Sequence, residues 1–176
     1  MSLTLILGGA RSGKSGYAQR AAEAWAQERG ARPIYVATAQ PGDDEMADRI
    51  VRHQADRGEA WRTLEAPLAL AETLAGLGPG EGAVIDCLTL WLSNSMAEPD
   101  GHVARVERLV PALAACPARL WVVSNEVGWG IVPDNALARR FRDEAGRLHQ
   151  DIAAVADEVL LVVAGLPLRL KTGATE

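Results

Sequence analysis

Gly8-Gly9-Ala10-Arg11-Ser12-Gly13-Lys14-Ser15 fits the spacing G-x-x-x-x-G-K-[ST] at every fixed position. A chain of this length meets that pattern by chance on the order of 0.01 times, so the match calls for chemistry. An apolar run, Leu3–Leu7, precedes it and a helix-forming stretch follows. Glycines let the backbone curl until successive N–H groups point at phosphate oxygens, and the start of the next helix adds its positive dipole. Lys14 supplies a cation to the β- and γ-phosphates, and Ser15 places a hydroxyl on Mg²⁺. A nucleoside triphosphate is expected here.

Ala83-Val84-Ile85-Asp86 delivers a carboxylate at the end of an apolar run, the position of a Walker-B aspartate. Mg²⁺ keeps several waters and takes few protein oxygens, so one such acid suffices. Glu126, just past the apolar run Leu120–Ser124, is the competing carboxylate, and the order of strands in space bears on the choice. A third feature is the charged segment 43–57. In it Met46, Ile50, His53 and Arg57 fall at i, i+4, i+7 and i+11, one stripe of a helix. A histidine in that setting is more often packed or solvated than catalytic, and its residue type alone assigns it no role.

Other nucleotide-binding classes fit poorly. The chain has no N-K-x-D guanine motif, and its one D-x-x-G match, Asp143 to Gly146, falls inside an expected helix. A regulatory GTPase is thereby disfavoured. A DNA-dependent ATPase would bring a basic track, whereas 18 Lys and Arg against 23 Asp and Glu leave a net charge of -5. A small-molecule kinase or nucleotide transferase remains.

The elements that must position these residues alternate. Strands are expected at Leu3–Leu7, Pro33–Thr38, Ala83–Cys87, Leu120–Ser124 and Val159–Ala164, with a short one around Leu168–Leu170. Helices are expected at Lys14–Arg29, Asp44–Arg57, Pro67–Leu77, Leu90–Ala97, Val103–Ala115 and Asp134–Val155. Asp134 is the expected cap of the last, and Pro111 is expected to kink or end the one before it. Nearly all-apolar strands between helices predict an α/β fold with a central, mostly parallel sheet covered on both faces. The loops Gly8–Gly13 and Ala39–Asp43 follow strand ends, where such sheets bind ligands.

The 176 residues suit one catalytic domain over 1–176, and 48% apolar residues provide a core without staples. Cys87 and Cys116 are the only cysteines, and no Cys/His spacing suggests zinc. No stretch reaches the roughly 18 apolar residues of a membrane span. The expectations are a cytoplasmic protein with no nucleic-acid partner and no membrane span.

Taken together, several strings resemble one family. They are Gly8–Ser15; Tyr35-Val36-Ala37-Thr38-Ala39; Asp43-Asp44-Glu45-Met46 with Arg49-Ile50 and His53; Trp61–Glu65; Asp86–Thr89; Asn125–Pro133; Phe141-Arg142-Asp143; and Ala145-Gly146-Arg147. The family is the bifunctional adenosylcobinamide kinase/adenosylcobinamide-phosphate guanylyltransferase of cobalamin biosynthesis. The resemblance runs from residue 5 to about 171 and implies a RecA-like P-loop NTPase fold assembled as a homotrimer. It implies phosphorylation of adenosylcobinamide from ATP or GTP, then transfer of GMP from GTP to that phosphate through a guanylylated histidine. The matching nucleophile here is His53. Nucleotide contacts carry over to the phosphate loop, Ala37, Thr38, Ala39, Gln54, Ala55, Asp56, Arg57, Glu65 and Asp86. Gln19 stands where the family often has Glu, and His149 where Asn is usual. Lys14 and Arg57, with Mg²⁺, are the cations available to an attack on the α-phosphate.

Overall fold

A computed structural model describes residues 2–40 and 60–173. Seven strands form one sheet: β1 (Ser2–Gly8), β2 (Ile34–Ala37), β3 (Arg62–Glu65), β4 (Gly82–Asp86), β5 (Arg119–Asn125), β6 (Glu158–Val163) and β7 (Leu166–Lys171). The described helices are α1 (Lys14–Arg29), α2 (Leu70–Ala75), α3 (Leu88–Ala97), α4 (His102–Ala115) and α5 (Ala136–Val155). The strand order is β3-β2-β4-β5-β1-β6-β7, all parallel except the last pair. The expected helix 44–57 lies outside the described residues.

Side chains alternate across the sheet, and both faces are covered. Leu5, Leu7, Ile85 and Val122 join one core with residues of α2 to α5, while Ile6, Val84 and Val123 join another beneath Ala18 and Ala22 of α1. Alanines at one-turn spacing bring α1 close to the strands. That double coverage explains why the strands read as unbroken apolar runs.

The edges depart from expectation. β3 is a strand that hydropathy does not predict, because at the sheet edge its residues are polar and largely exposed. β7 is a full antiparallel partner of β6 instead of a short segment, reached through the turn at Ala164-Gly165. The cap of α5 is Asn135, not Asp134: its Oδ1 accepts from the Ala138 N–H at 2.7 Å. Pro111 lies inside α4 and does not end it, since the helix continues to Ala115. α2 starts at Leu70, three residues after Pro67, and α3 starts at Leu88 instead of Leu90.

Candidate nucleotide site at the strand ends

The site is built where the chain leaves β1. A Cβ on Gly8 would stand 2.5 Å from Ser12 Oγ and 2.6 Å from the Val162 carbonyl oxygen, so only glycine lets the loop fold back over the strand end. Gly13 has φ +96°, the left-handed region, and hands the chain into α1. The β6–β7 turn braces the loop from the side, with the Gly165 N–H donating to the Ser12 carbonyl at 2.8 Å. Lys14 is only 6% exposed, and its Nζ donates to the Gly9 carbonyl at 2.8 Å, across its own loop. Ser12 Oγ is buried and has no hydrogen-bond partner among the described residues. A buried hydroxyl left in that state costs about 1–3 kcal/mol, and a phosphate oxygen would satisfy it.

Register lines up the remaining residues. Glu65 pairs with Ala37, Ala37 with Asp86, and Gly8 with Asn125, so all five sit at the C-terminal edge of the sheet. Asp86 Oδ2 accepts from the Tyr35 hydroxyl at 2.9 Å. Thr38 is committed to structure: its Oγ1 donates to the Cys87 carbonyl and accepts from the Cys87 N–H, both at 2.8 Å. Asn94 Nδ2 holds the Thr38 carbonyl at 2.8 Å. The Asp86-Cys87 peptide is cis. Asn125 Nδ2 donates to Thr89 Oγ1 at 2.8 Å, and Thr89 Oγ1 lies 3.1 Å from Cys87 Sγ. Burial pushes the Cys87 thiol up, Asp86 pushes it further, and Lys14 pulls weakly the other way. Lys14 and Asp86 therefore act on the same small region.

Strand order separates the two carboxylates. β5 lies between β4 and β1, so Glu126 follows the strand adjacent to the phosphate loop, and its N–H donates to the Gly8 carbonyl at 2.9 Å. Its Oε1, however, turns back to accept from the Gly128 N–H at 2.8 Å. Among the described residues no three His, Cys, Asp or Glu gather to cage a metal. The available donors are hard oxygens, the half-buried Ser15 and the Asp86 carboxylate. That set fits an ion such as Mg²⁺, which takes its other oxygens from phosphate and water.

Gly9, Ala10, Arg11, Ser12 and Gly13 form the loop between Gly8, the last residue of β1, and Lys14 and Ser15, the first of α1, and Ala37 to Ala39, Glu65 and Asp86 share its edge of the sheet. His53, Gln54, Ala55, Asp56 and Arg57 lie outside the described residues. Tyr35 as partner of Asp86 and Thr89 as partner of Asn125 are not foreseen from the sequence. The available signal was indirect: Asp86 and Asn125 close apolar strands β4 and β5 with polar groups that call for partners. Behind the edge, His149 of α5 is buried with Nε2 2.7 Å from Ser124 Oγ. Burial lowers its pKa, and Glu126 opposes that shift.

Comparisons agree with this geometry. A KaiC-like protein from Pyrococcus horikoshii superposes with a TM-score of 0.51 over 91% of this chain and 70% of its own, at 13% identity. That likeness shows a shared fold, a mostly parallel sheet with flanking helices. The bifunctional adenosylcobalamin biosynthesis protein CobP of Pseudomonas aeruginosa is 51% identical over 95% of this chain and 96% of its own. The CobU proteins of Escherichia coli and Salmonella typhimurium are 40% and 42% identical, each over 96% of this chain and 99% of theirs. Residues 4–170 match the model of the cobinamide kinase / cobinamide phosphate guanyltransferase family, and the chain belongs to that family.

Proposed function

We propose that the strand-end site performs both transfers of the family in succession. A phosphoryl group passes from ATP or GTP to the aminopropanol hydroxyl of adenosylcobinamide. GMP then passes from GTP to that phosphate through a guanylylated His53, giving adenosylcobinamide-GDP and pyrophosphate. The observation that carries this reading is the phosphate loop itself, with Lys14 drawn over it and the buried Ser12 hydroxyl unpartnered among the described residues.

His53 attacks the α-phosphorus; an N–P bond forms, the bond to the β-phosphate oxygen breaks, and pyrophosphate leaves. A phosphate oxygen of the corrinoid then displaces the histidine. One difficult transfer becomes two easier ones. Lys14 and the loop amides hold the phosphates in place through both steps. Ser15 and Asp86 would hold Mg²⁺, which when bound neutralises phosphate charge.

The test is incubation with adenosylcobinamide and GTP, followed by the mass of the product. Adenosylcobinamide-GDP supports the reading; a product that stops at the phosphate would leave a kinase without guanylyl transfer. A homotrimer acting in the cytoplasm belongs to the same reading and rests on the family resemblance. No described helix is long and apolar enough to cross a membrane. A trimeric mass by light scattering at micromolar concentration supports that assembly, and a strictly monomeric mass overturns it.

A further inference from the structure

Two of the sequence strings singled out above are not used by the proposed transfers: residues 127–133 of the loop after β5 and the segment from Phe141 to Arg147. The structure brings them together. Gly128 of the loop and Arg142, Asp143, Gly146, Arg147 and Gln150 of α5 line a groove of about 370 Å³. Its place in the fold follows from topology. β5 and β6 both run parallel to β1, so the chain between them must travel back along the sheet. α5 therefore starts at the edge where the strands end, and as far along as His149 it still packs there, with Nε2 2.7 Å from the Oγ of Ser124 near the end of β5. The groove is one short link from the phosphate loop: Glu126 bonds the Gly8 carbonyl by its N–H and the Gly128 N–H by its carboxylate.

We propose that this groove and the loop beside it hold the corrinoid acceptor, an assignment that rests on the function proposed above. The acceptor is a broad macrocycle with an apolar ring face and a rim of primary amides, each both donor and acceptor. The groove offers matching chemistry. Arg142, Arg147 and Gln150 donate, while Asp143, 3.1 Å from Arg142, and the Gln150 carbonyl accept. Gly146 leaves its floor open, since a Cβ there would meet nothing within 4 Å. The ring is too large for the groove and must lie across its lip. That lip carries Trp129 at 75% exposed, Ile131 at 97% and Val132 at 62%. Side chains so apolar and so exposed in one loop mark a surface that is covered in use. An indole beside a flat ring system makes a stacking platform.

The acceptor hydroxyl must reach the terminal phosphate of a nucleotide held at Gly8–Ser15, and the link through Glu126 places the lip beside that loop. Nucleotide binding and acceptor binding are thus divided between the two ends of one link.

The experiment is equilibrium dialysis of cobinamide, followed by its visible absorbance, against wild type, Gly146→Leu, Trp129→Ser and Arg147→Glu. Gly146→Leu fills the groove while favouring the helix, so its fold is not at risk. Cobinamide binding is expected to weaken about tenfold or more in each variant, with a matching rise in KM for adenosylcobinamide. Protein labelling by α-labelled GTP, which needs no corrinoid, is expected to stay within about twofold. Unchanged cobinamide binding overturns the assignment. So does a parallel fall in GTP labelling, or an altered oligomeric mass with corrinoid binding intact, which would make the lip a contact between copies of the chain. If wild type itself takes no label from GTP, the histidine reading fails, yet the dialysis still decides the groove.

Discussion

The Tyr35 hydroxyl donates to Asp86 Oδ2 across 2.9 Å, tying neighbouring strands β2 and β4 together at the edge that holds the site. The Tyr35 ring is itself fixed edge-on against Trp61, with centroids 6.1 Å apart. A carboxylate held by a fixed donor keeps its orientation toward a metal ion, and loss of such a partner typically costs 10–100-fold in metal affinity. Tyr35→Phe keeps the ring packing and removes the donor. The Mg²⁺ concentration giving half-maximal kinase rate is expected to rise on the order of tenfold. An unchanged Mg²⁺ titration would remove Asp86 from the metal site and make Glu126 the carboxylate to test.

Ser12 and Gly8 make a contrasting pair, because one side chain awaits a partner and the other position has no room. Ser12→Ala deletes a buried hydroxyl without a described partner, so thermal stability is expected to hold or rise by about 1 kcal/mol. Affinity for ATP is expected to fall several-fold, as a lost hydrogen bond to a charged group implies. Gly8→Ala drives a Cβ into Ser12 Oγ and the Val162 carbonyl, and is expected to lower stability and nucleotide binding together. Thermal melts and ATP titrations read both. Wild-type ATP affinity in Ser12→Ala would mean that this hydroxyl makes no bond to the nucleotide.

His149 supplies a pH dependence. Burial favours the neutral imidazole and lowers its pKa, with the Glu126 charge opposing. Between the lowered folded value and the unfolded value of about 6.5, the unfolded chain binds more protons. This contribution to stability is therefore complete above about pH 6.5 and is lost as pH falls below it toward the folded value. His149→Asn can still bond the Ser124 hydroxyl and has no charge to acquire. Its thermal midpoint is expected to fall less than that of wild type between pH 7 and 5. Equal slopes would show that the imidazole titrates alike in both states.

The phosphate loop was legible because its chemistry needs fixed residue types at fixed spacing, and Lys14 and Ser15 can be named from the string alone. The inner strands were legible because burial on both faces leaves them uniformly apolar. β3 was not, because an edge strand of Arg62, Thr63, Leu64 and Glu65 has one neighbour and large exposure, so hydropathy does not mark it. The choice between Asp134 and Asn135 as cap turns on which side chain reaches the Ala138 N–H, a matter of one residue of phase. The Tyr35–Asp86 pair joins residues 51 apart in the chain, and strand order alone makes them neighbours. The groove at Gly128 is harder still, because neither of its two strings has a meaning without the other.

The sharpest prediction separates the two transfers. In the proposed function His53 forms a bond to the α-phosphorus of GTP, whereas phosphorylation of adenosylcobinamide uses the γ-phosphate and needs no covalent intermediate. His53→Asn keeps a polar side chain of similar reach and removes the imidazole. Labelling of the protein by α-labelled GTP is expected to vanish, and guanylyl transfer to fall by several orders of magnitude. Kinase turnover is expected to drop far less, about tenfold, from altered positioning. Wild-type label should be acid-labile and base-stable, as a phosphoramidate is. Comparable loss of both activities would assign His53 a structural role. Persistent labelling would move the nucleophile, yet the other two histidines are poorly placed to take it over. His102 Nε2 is 2.7 Å from the Glu144 carboxylate and its Nδ1 is 2.9 Å from Ser95 Oγ, while His149 is buried against Ser124. Both imidazoles are held in the interior, among α3, α4, α5 and β5, which is why the proposed function places the attack on His53.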